Sequence, residues 1–279
     1  MTDDSTQKHA PLGESTITDF VRDGAVVIRG ALSPCELETL TRGIEANLAQ
    51  PGELAAVASS GDDPGRFFED FCNWQRITEY EQILKHSALP CIAATLMQSQ
   101  TVRIYHDHLL VKEAGTRQPT PWHQDQPYYN VDGHQNVSFW IPVDPVPRES
   151  TLEFLAESHD GTWYMPRTFM TKQAKWFPEG SLADLPDMDV AKNKACVIGW
   201  ALQPGDMVAF HMLTLHAASG SATRRRVFSA RYLGDDSVHA PREWRTSPEF
   251  AGLRDALAAG VPMRHDLFPQ VWPLRGTPS

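Results

Sequence analysis

The chain has little cysteine, no long apolar run and no surplus of positive charge, and each shortage removes a class of function. Its four cysteines, Cys35, Cys72, Cys91 and Cys196, stand far apart without a Cys-x-x-Cys pair. That spacing argues against a zinc knuckle and a disulfide framework, and all four read as reduced packing residues. No apolar stretch approaches the roughly 18 residues of a bilayer span, and the start, Met1 to His9, lacks the basic and apolar segments of a secretory leader. A cytoplasmic protein without a membrane partner is expected. The formal net charge is −10; phosphate backbones are held by clustered Lys and Arg, so no nucleic-acid partner is expected either. The one basic cluster is Arg224-Arg225-Arg226. Internal repeats and low-complexity tracts are absent.

What remains is an ordinary globular composition, 41% hydrophobic and 22% charged over 279 residues. All-β units reach this length, so one domain is expected over 1–279. Ala25 to Ile28 reads as a short buried strand. Ser33-Pro34-Cys35-Glu36 is a helix start, with Ser as N-cap, Pro at the first helical position and Glu three residues on. Leu37, Leu40, Ile44 and Leu48 continue that helix to Pro51-Gly52. A second helical region covers 76–97, divided by Pro90. Residues 1–99 thus form a helical support, its first 15 polar and frayed.

From 100 to 235 the pattern turns to short β-rich runs: Thr101 to Lys112, Val137 to Val143, Thr151 to Leu155, Ala195 to Leu202, Met207 to Leu213 and Val227 to Leu233. Such runs suggest a barrel or sandwich, and a cupin-like jelly roll leaves a mouth for a ligand. Residues 160–194 interrupt the strands as a candidate lid or binding loop. The tail, 236–279, holds Trp244, Phe250, Phe268 and Trp272, too many aromatics for a free linker. It is expected to pack on the barrel or on a second copy in a homo-oligomer.

Trp122-His123-Gln124-Asp125-Gln126 carries the chemistry. Residues two apart on a strand share a face, so His123 and Asp125 can reach one metal ion. With a second imidazole, from His211 or His216, they fill one triangular face of an octahedron, the facial set of mononuclear iron(II), and leave three positions open. A closed structural zinc site has none.

Downstream run Pro204-Gly205-Asp206-Met207-Val208-Ala209-Phe210-His211, Leu215-His216-Ala217-Ala218-Ser219-Gly220-Ser221 and Arg224 through Tyr232. With the first motif, these segments resemble the phytanoyl-CoA dioxygenase family of iron(II)- and 2-oxoglutarate-dependent oxygenases, over a stretch from about Phe20 to Asp235. The resemblance implies a mainly β fold with flanking helices, a double-stranded β-helix. It also implies Fe(II) as cofactor and 2-oxoglutarate as co-substrate, with dioxygen and a small-molecule substrate as partners. The family's second histidine, the one followed by small residues, corresponds to His216 here, which completes a metal set of His123, Asp125 and His216; no further catalytic residue is assigned. Arg225, with Ser229 on the same strand face, is matched to the distal carboxylate of 2-oxoglutarate, because a guanidinium grips a carboxylate through paired hydrogen bonds. Arg226 stays an alternative anchor. Lys112 and Tyr128 are further candidate contacts, and Trp140 matches a family aromatic. His106, His108, His134 and His159 are left outside the site.

Family members that halogenate lack the carboxylate at the position of Asp125, so the resemblance implies hydroxylation rather than halogenation, with release of succinate and carbon dioxide; desaturation, cyclisation and epoxidation use the same oxidant and stay open. Two rivals stand beside it. A cupin-type metalloenzyme without an oxo acid leaves Arg225 no task, and a non-catalytic metal-binding jelly roll has no need to keep a full ligand set and an arginine.

Overall fold

The computed structural model describes residues 12–165, 178, 180–188, 190 and 197–273. Most of the 160–194 interruption, and Cys196, lie outside the described residues. Along the chain run α1 (Glu14–Asp23), β1 (Ala25–Ile28), α2 (Pro34–Ala49), β2 (Ala56–Val57), β3 (Phe67–Phe71), α3 (Thr78–His86), α4 (Leu89–Met97) and β4 (Val102–Lys112). Then come β5 (Thr120–His123), β6 (Val131–Asp132), β7 (Asn136–Pro142), β8 (Leu152–Leu155), β9 (Val197–Ile198) and β10 (Met207–Phe210). The described part closes with β11 (His216–Ala218), β12 (Arg225–Leu233), β13 (Val238–His239), α5 (Leu253–Ala256) and β14 (Gln270–Trp272). One antiparallel sheet has the order β1-β10-β7-β12-β4-β3-β2, with β14 also on β4; a smaller one has the order β5-β11-β8-β9. This is the jelly roll expected from the strand pattern.

Alternation along β12 shows why the large sheet has two characters. Phe228, Ala230 and Tyr232 join the cluster formed with Leu40, Tyr80 and Leu84 of the helices. Each large apolar side chain buried there contributes about 1.5–3 kcal/mol. The intervening Arg225, Ser229 and Arg231 line a cavity on the opposite face. A second apolar cluster, including Trp140, Phe154, Phe210 and Val227, fills the space between the sheets. The helices therefore back one sheet, and none of their residues lines the cavity.

Local signals place the helices. Ser33 Oγ accepts from the Glu36 amide, and Glu36 returns a bond to the Ser33 amide, so α2 starts on a complete capping box. Pro90 sits in the first turn of α4, where its missing N–H costs nothing, and the break falls just before it. Helix α1 begins inside the stretch expected to be frayed. Cys35 and Cys91 are exposed and Cys72 only half-buried, so these three are not packing residues of the core. The tail folds back on its own barrel: Leu253, Met263 and Phe268 pack against Tyr105, Tyr129 and Met212. Among the described residues, no helix is long and apolar enough to cross a membrane.

Candidate active site

His123 ends β5 and His216 begins β11, and the two face each other in antiparallel register. Both rings leave the same side of the small sheet, with centroids 4.2 Å apart. The Nδ1–H of His123 donates to the Pro121 carbonyl at 2.8 Å, and that of His216 to the Thr214 carbonyl at 2.9 Å. These bonds fix the tautomer and leave each Nε2 with a lone pair turned inward. Both Nε2 atoms lie 3.8 Å from Oδ1 of Asp125, and the three donor atoms fall within 4.8 Å of one another. Two neutral imidazoles and one carboxylate oxygen converging from one side fit Fe(II).

Strand alternation is not what delivers Asp125. Strand β5 stops at His123, and Asp125 takes helical angles (φ −75, ψ −44) at the head of a short 3-10 turn, Gln126–Tyr128. The amides of Asp125 and Gln126 both donate to the Met212 carbonyl, at 2.9 and 3.0 Å. Gln124 Nε2 donates to Leu213 O at 2.7 Å. These bonds draw the chain off the sheet and fasten it to the turn that leads into His216.

The same turn separates His211 from His216, which five positions apart on one continuous strand would lie on opposite faces. There is no continuous strand: β10 ends at Phe210 and the chain crosses to the other sheet. His211 Nε2–H donates to His134 O at 2.9 Å, and Nδ1 accepts from the Leu213 amide at 3.0 Å. Both nitrogens are occupied, and burial pushes the imidazole down to about 3. Gly24 helps to hold this turn. Its carbonyl accepts from Thr214 Oγ1 and from the His211 amide, both at 2.8 Å. At φ +75 a side chain is strained, and a Cβ there would collide with Thr214 Oγ1. Gly24 thereby seats Thr214, whose carbonyl orients His216.

The second oxygen of Asp125 is also committed. Oδ2 accepts from Arg231 Nη2 at 3.2 Å and Nε at 3.3 Å, and from Ser138 Oγ at 3.2 Å. Burial alone would raise this carboxyl, but Arg231, His216 and His123 outweigh it and hold it well below the usual carboxylate range. By strand alternation Arg231 shares the face of Arg225 and Ser229, and all three line the cavity. A two-residue rule on one strand carries no information about a partner 106 positions away.

A cavity of about 580 Å³ opens over these residues, within the roughly 300–1,000 Å³ of small-molecule sites. Arg225, Ser229 and Tyr128 line it. Arg225 is buried beside the Trp140 ring, 5.4 Å from its centroid, and donates to Ser150 O. Burial alone lowers it to about 10, and no carboxylate among the described residues pairs with it. Ser229 donates to Phe139 O at 2.9 Å and accepts from Arg231 Nη1 at 3.1 Å. Lys112 does not line the cavity. Its Nζ donates to Gln118 O and Ser219 O, at 2.7 and 2.8 Å, next to Arg225 in register, and burial, then Arg225, lower it to about 7. Arg226 turns to the other face, bonded to Asp144 at 2.6 Å and Glu45 at 2.5 Å. His108, set aside on sequence grounds, does face the cavity.

A jelly roll that converges two histidines and one carboxylate on a pocket containing a buried arginine defines a mononuclear non-haem iron oxygenase. The chain belongs to the phytanoyl-CoA dioxygenase (PhyH) family, matched over residues 20–227, and iron and 2-oxoglutarate are the cofactor pair of that family. Among solved structures, the non-heme alpha ketoglutarate dependent carbocyclase SnoK from nogalamycin biosynthesis is 21% identical with a TM-score of 0.72, covering 93% of this chain and 96% of that one. The epimerase SnoN, solved with Fe3+, alpha ketoglutarate and nogalamycin RO, is 21% identical with a TM-score of 0.71, covering 92% and 98%. EctD from S. alaskensis, solved with 2-oxoglutarate and 5-hydroxyectoine, is 16% identical with a TM-score of 0.66, covering 94% and 87%. At these identities the likeness is one of fold. No curated protein matches the chain.

Proposed function

We propose that the protein is an iron(II)- and 2-oxoglutarate-dependent dioxygenase that hydroxylates a small-molecule metabolite or natural-product intermediate. The observation that carries this reading is the convergence of His123 Nε2, His216 Nε2 and Asp125 Oδ1 within 4.8 Å in a cavity that Arg225 enters with no acidic partner among the described residues. Held by His123, Asp125 and His216, iron with 2-oxoglutarate and dioxygen would supply the oxidising chemistry: one oxygen atom would enter succinate as carbon dioxide leaves, and the other would insert into a C–H bond of the substrate.

The chain's own residues do the rest. His123 and His216 offer lone pairs fixed by backbone carbonyls, and Asp125 offers one oxygen while Arg231 and Ser138 hold the other. Arg225 presents a guanidinium to the distal carboxylate of 2-oxoglutarate in a site where water competes poorly. Lys112, bonded to the Gln118 and Ser219 carbonyls beside Arg225, braces that end of the barrel, and Tyr128 walls the metal side with its ring centroid 6.1 Å from that of His123. Trp140 and Phe210 exclude water around the same end.

Retention of Asp125 supports hydroxylation over halogenation, since a halide would need the coordination position that the carboxylate takes. The carbocyclase and epimerase among the fold's solved examples favour a second outcome, hydrogen removal without oxygen insertion. The test is succinate release coupled to a substrate, followed by mass spectrometry of the product. A gain of one oxygen supports hydroxylation, a loss of two hydrogens or an isomer supports the second outcome, and a chlorinated product in chloride buffer overturns both.

A further inference from the structure

The cavity extends past the metal ligands to a wall that no cofactor role occupies. Strand β3 contributes Phe67, Glu69 and Phe71, and His108 of β4 stands opposite Phe71 in register. The His108 ring stacks on Phe71 with centroids 3.8 Å apart and planes 17° apart. That stacking fixes its orientation. Its Nε2 is buried, has no hydrogen-bond partner among the described residues, and lies 3.7 Å from Oε2 of Glu69. Buried polar atoms are nearly always satisfied, so an orphan on a cavity wall marks a place for a ligand atom. A separation of 3.7 Å is too long for a direct bond, and a small outward turn of the Glu69 side chain, 21% exposed, admits one oxygen at about 2.8 Å from both atoms. A hydroxyl suits that position: it accepts from Nε2–H of the neutral imidazole and donates to the carboxylate.

Charge narrows the substrate further. Among the described residues, the acidic side chains lining the cavity are Glu69, Asp125 and Glu249 and the basic ones Arg225, Arg231 and Arg245. Three negative charges face three positive ones, and Fe(II) with dianionic 2-oxoglutarate adds nothing net. A substrate that brought its own charge into this space would be left uncompensated, which is costly away from water. A coenzyme A thioester, with its phosphates, is the least suited. The remaining wall, with Leu54, Phe67, Phe71, Leu110 and Tyr128, is apolar or aromatic and takes a flat body.

We propose that the prime substrate is an uncharged molecule with a flat apolar body and a hydroxyl group, and that Glu69 and His108 grip that hydroxyl as positioning residues. The inference rests on the iron and 2-oxoglutarate reading of the site.

The test uses three probes that share one 2-naphthyl body: 2-naphthyl β-glucoside, 2-naphthylmethylamine and 2-naphthoyl-CoA, each titrated into anaerobic protein loaded with Fe(II) and 2-oxoglutarate. The glucoside is expected to bind at least about tenfold more tightly than the amine or the thioester. Glu69→Gln and His108→Phe should each weaken it by about tenfold or more, as expected for a lost hydrogen bond to a charged or oriented group, with His108→Gln restoring part of the loss. Tightest binding of the amine or thioester, no binding of the glucoside, or unchanged affinity in both variants overturns the proposal. The metal-to-2-oxoglutarate charge-transfer absorbance separates the two levels. If it does not form in the wild type, the cofactor reading fails. If it forms in the wild type and in Glu69→Gln without the expected probe order, only the substrate inference fails.

Discussion

Arg231 and Asp125 divide one carboxylate between two tasks: the guanidinium holds Oδ2 at 3.2 Å, while Oδ1 stays 3.8 Å from both histidine nitrogens. Removing the arginine leaves a buried carboxylate with only Ser138 and a metal to answer it. Arg231→Met should lower Fe(II) affinity by about 10- to 100-fold, as for other partners of metal ligands. It should also cost the metal-free protein about 3–5 kcal/mol, the usual effect of breaking a buried pair. Melting curves with and without Mn(II) check this: the deficit should shrink when metal is present, since the cation then replaces the lost charge.

The two nearby histidines should behave in opposite ways. His216→Ala is expected to abolish metal binding and turnover, whereas His211→Asn should keep both, because neither His211 nitrogen has a free lone pair. Fe(II) titration of each variant distinguishes them, and loss of binding in His211→Asn alone would reverse the assignment.

Arg225→Ala should weaken 2-oxoglutarate by roughly 30-fold or more, the consequence of losing about 2–5 kcal/mol from a buried, hydrogen-bonded charge pair. Arg226→Ala should leave that affinity nearly unchanged, since its guanidinium is spent on Asp144 and Glu45. The charge-transfer band in an anaerobic titration measures both.

His211 also sets a pH dependence. Its folded-state value, about 3, is depressed below the ordinary 6.5, so the unfolded chain binds the extra proton first as pH falls. The stability this group contributes is therefore complete above about pH 6.5, declines below it and levels off near pH 3, with a slope of at most about 1.4 kcal/mol per pH unit. Denaturant unfolding of the metal-free protein between pH 7 and 4.5 should give a shallower slope in His211→Asn. Equal slopes would show that the proton goes elsewhere.

Patterns of short range were legible in the sequence. The α2 capping box, the break before Pro90 and the alternation of β12 depend on neighbours within a few residues, and each is found where those residues place it. Other features depend on long-range closure. Asp125 meets His123 because Met212 and Leu213 capture the 124–126 segment, not because a strand alternates. His211 is excluded by a crossing between sheets, not by facing. His108 lacked any partner in sequence because Glu69 lies on a neighbouring strand, and Lys112 turned to two carbonyls that no local rule names.

The cofactor end of the cavity and its outer rim belong to different parts of the fold, and this bears on how the enzyme can change over evolutionary time. The cofactor end is built from Trp140, Phe210 and Leu152, which are also members of a buried cluster, so altering it disturbs folding and chemistry together. Leu54 and Ala56 sit at the rim, and the 245–251 segment reaches the cavity from outside the barrel. Substitutions there change the shape offered to a substrate at little risk to the core. New specificities are therefore expected to arise by drift in those two segments, while the oxidising apparatus is inherited unchanged.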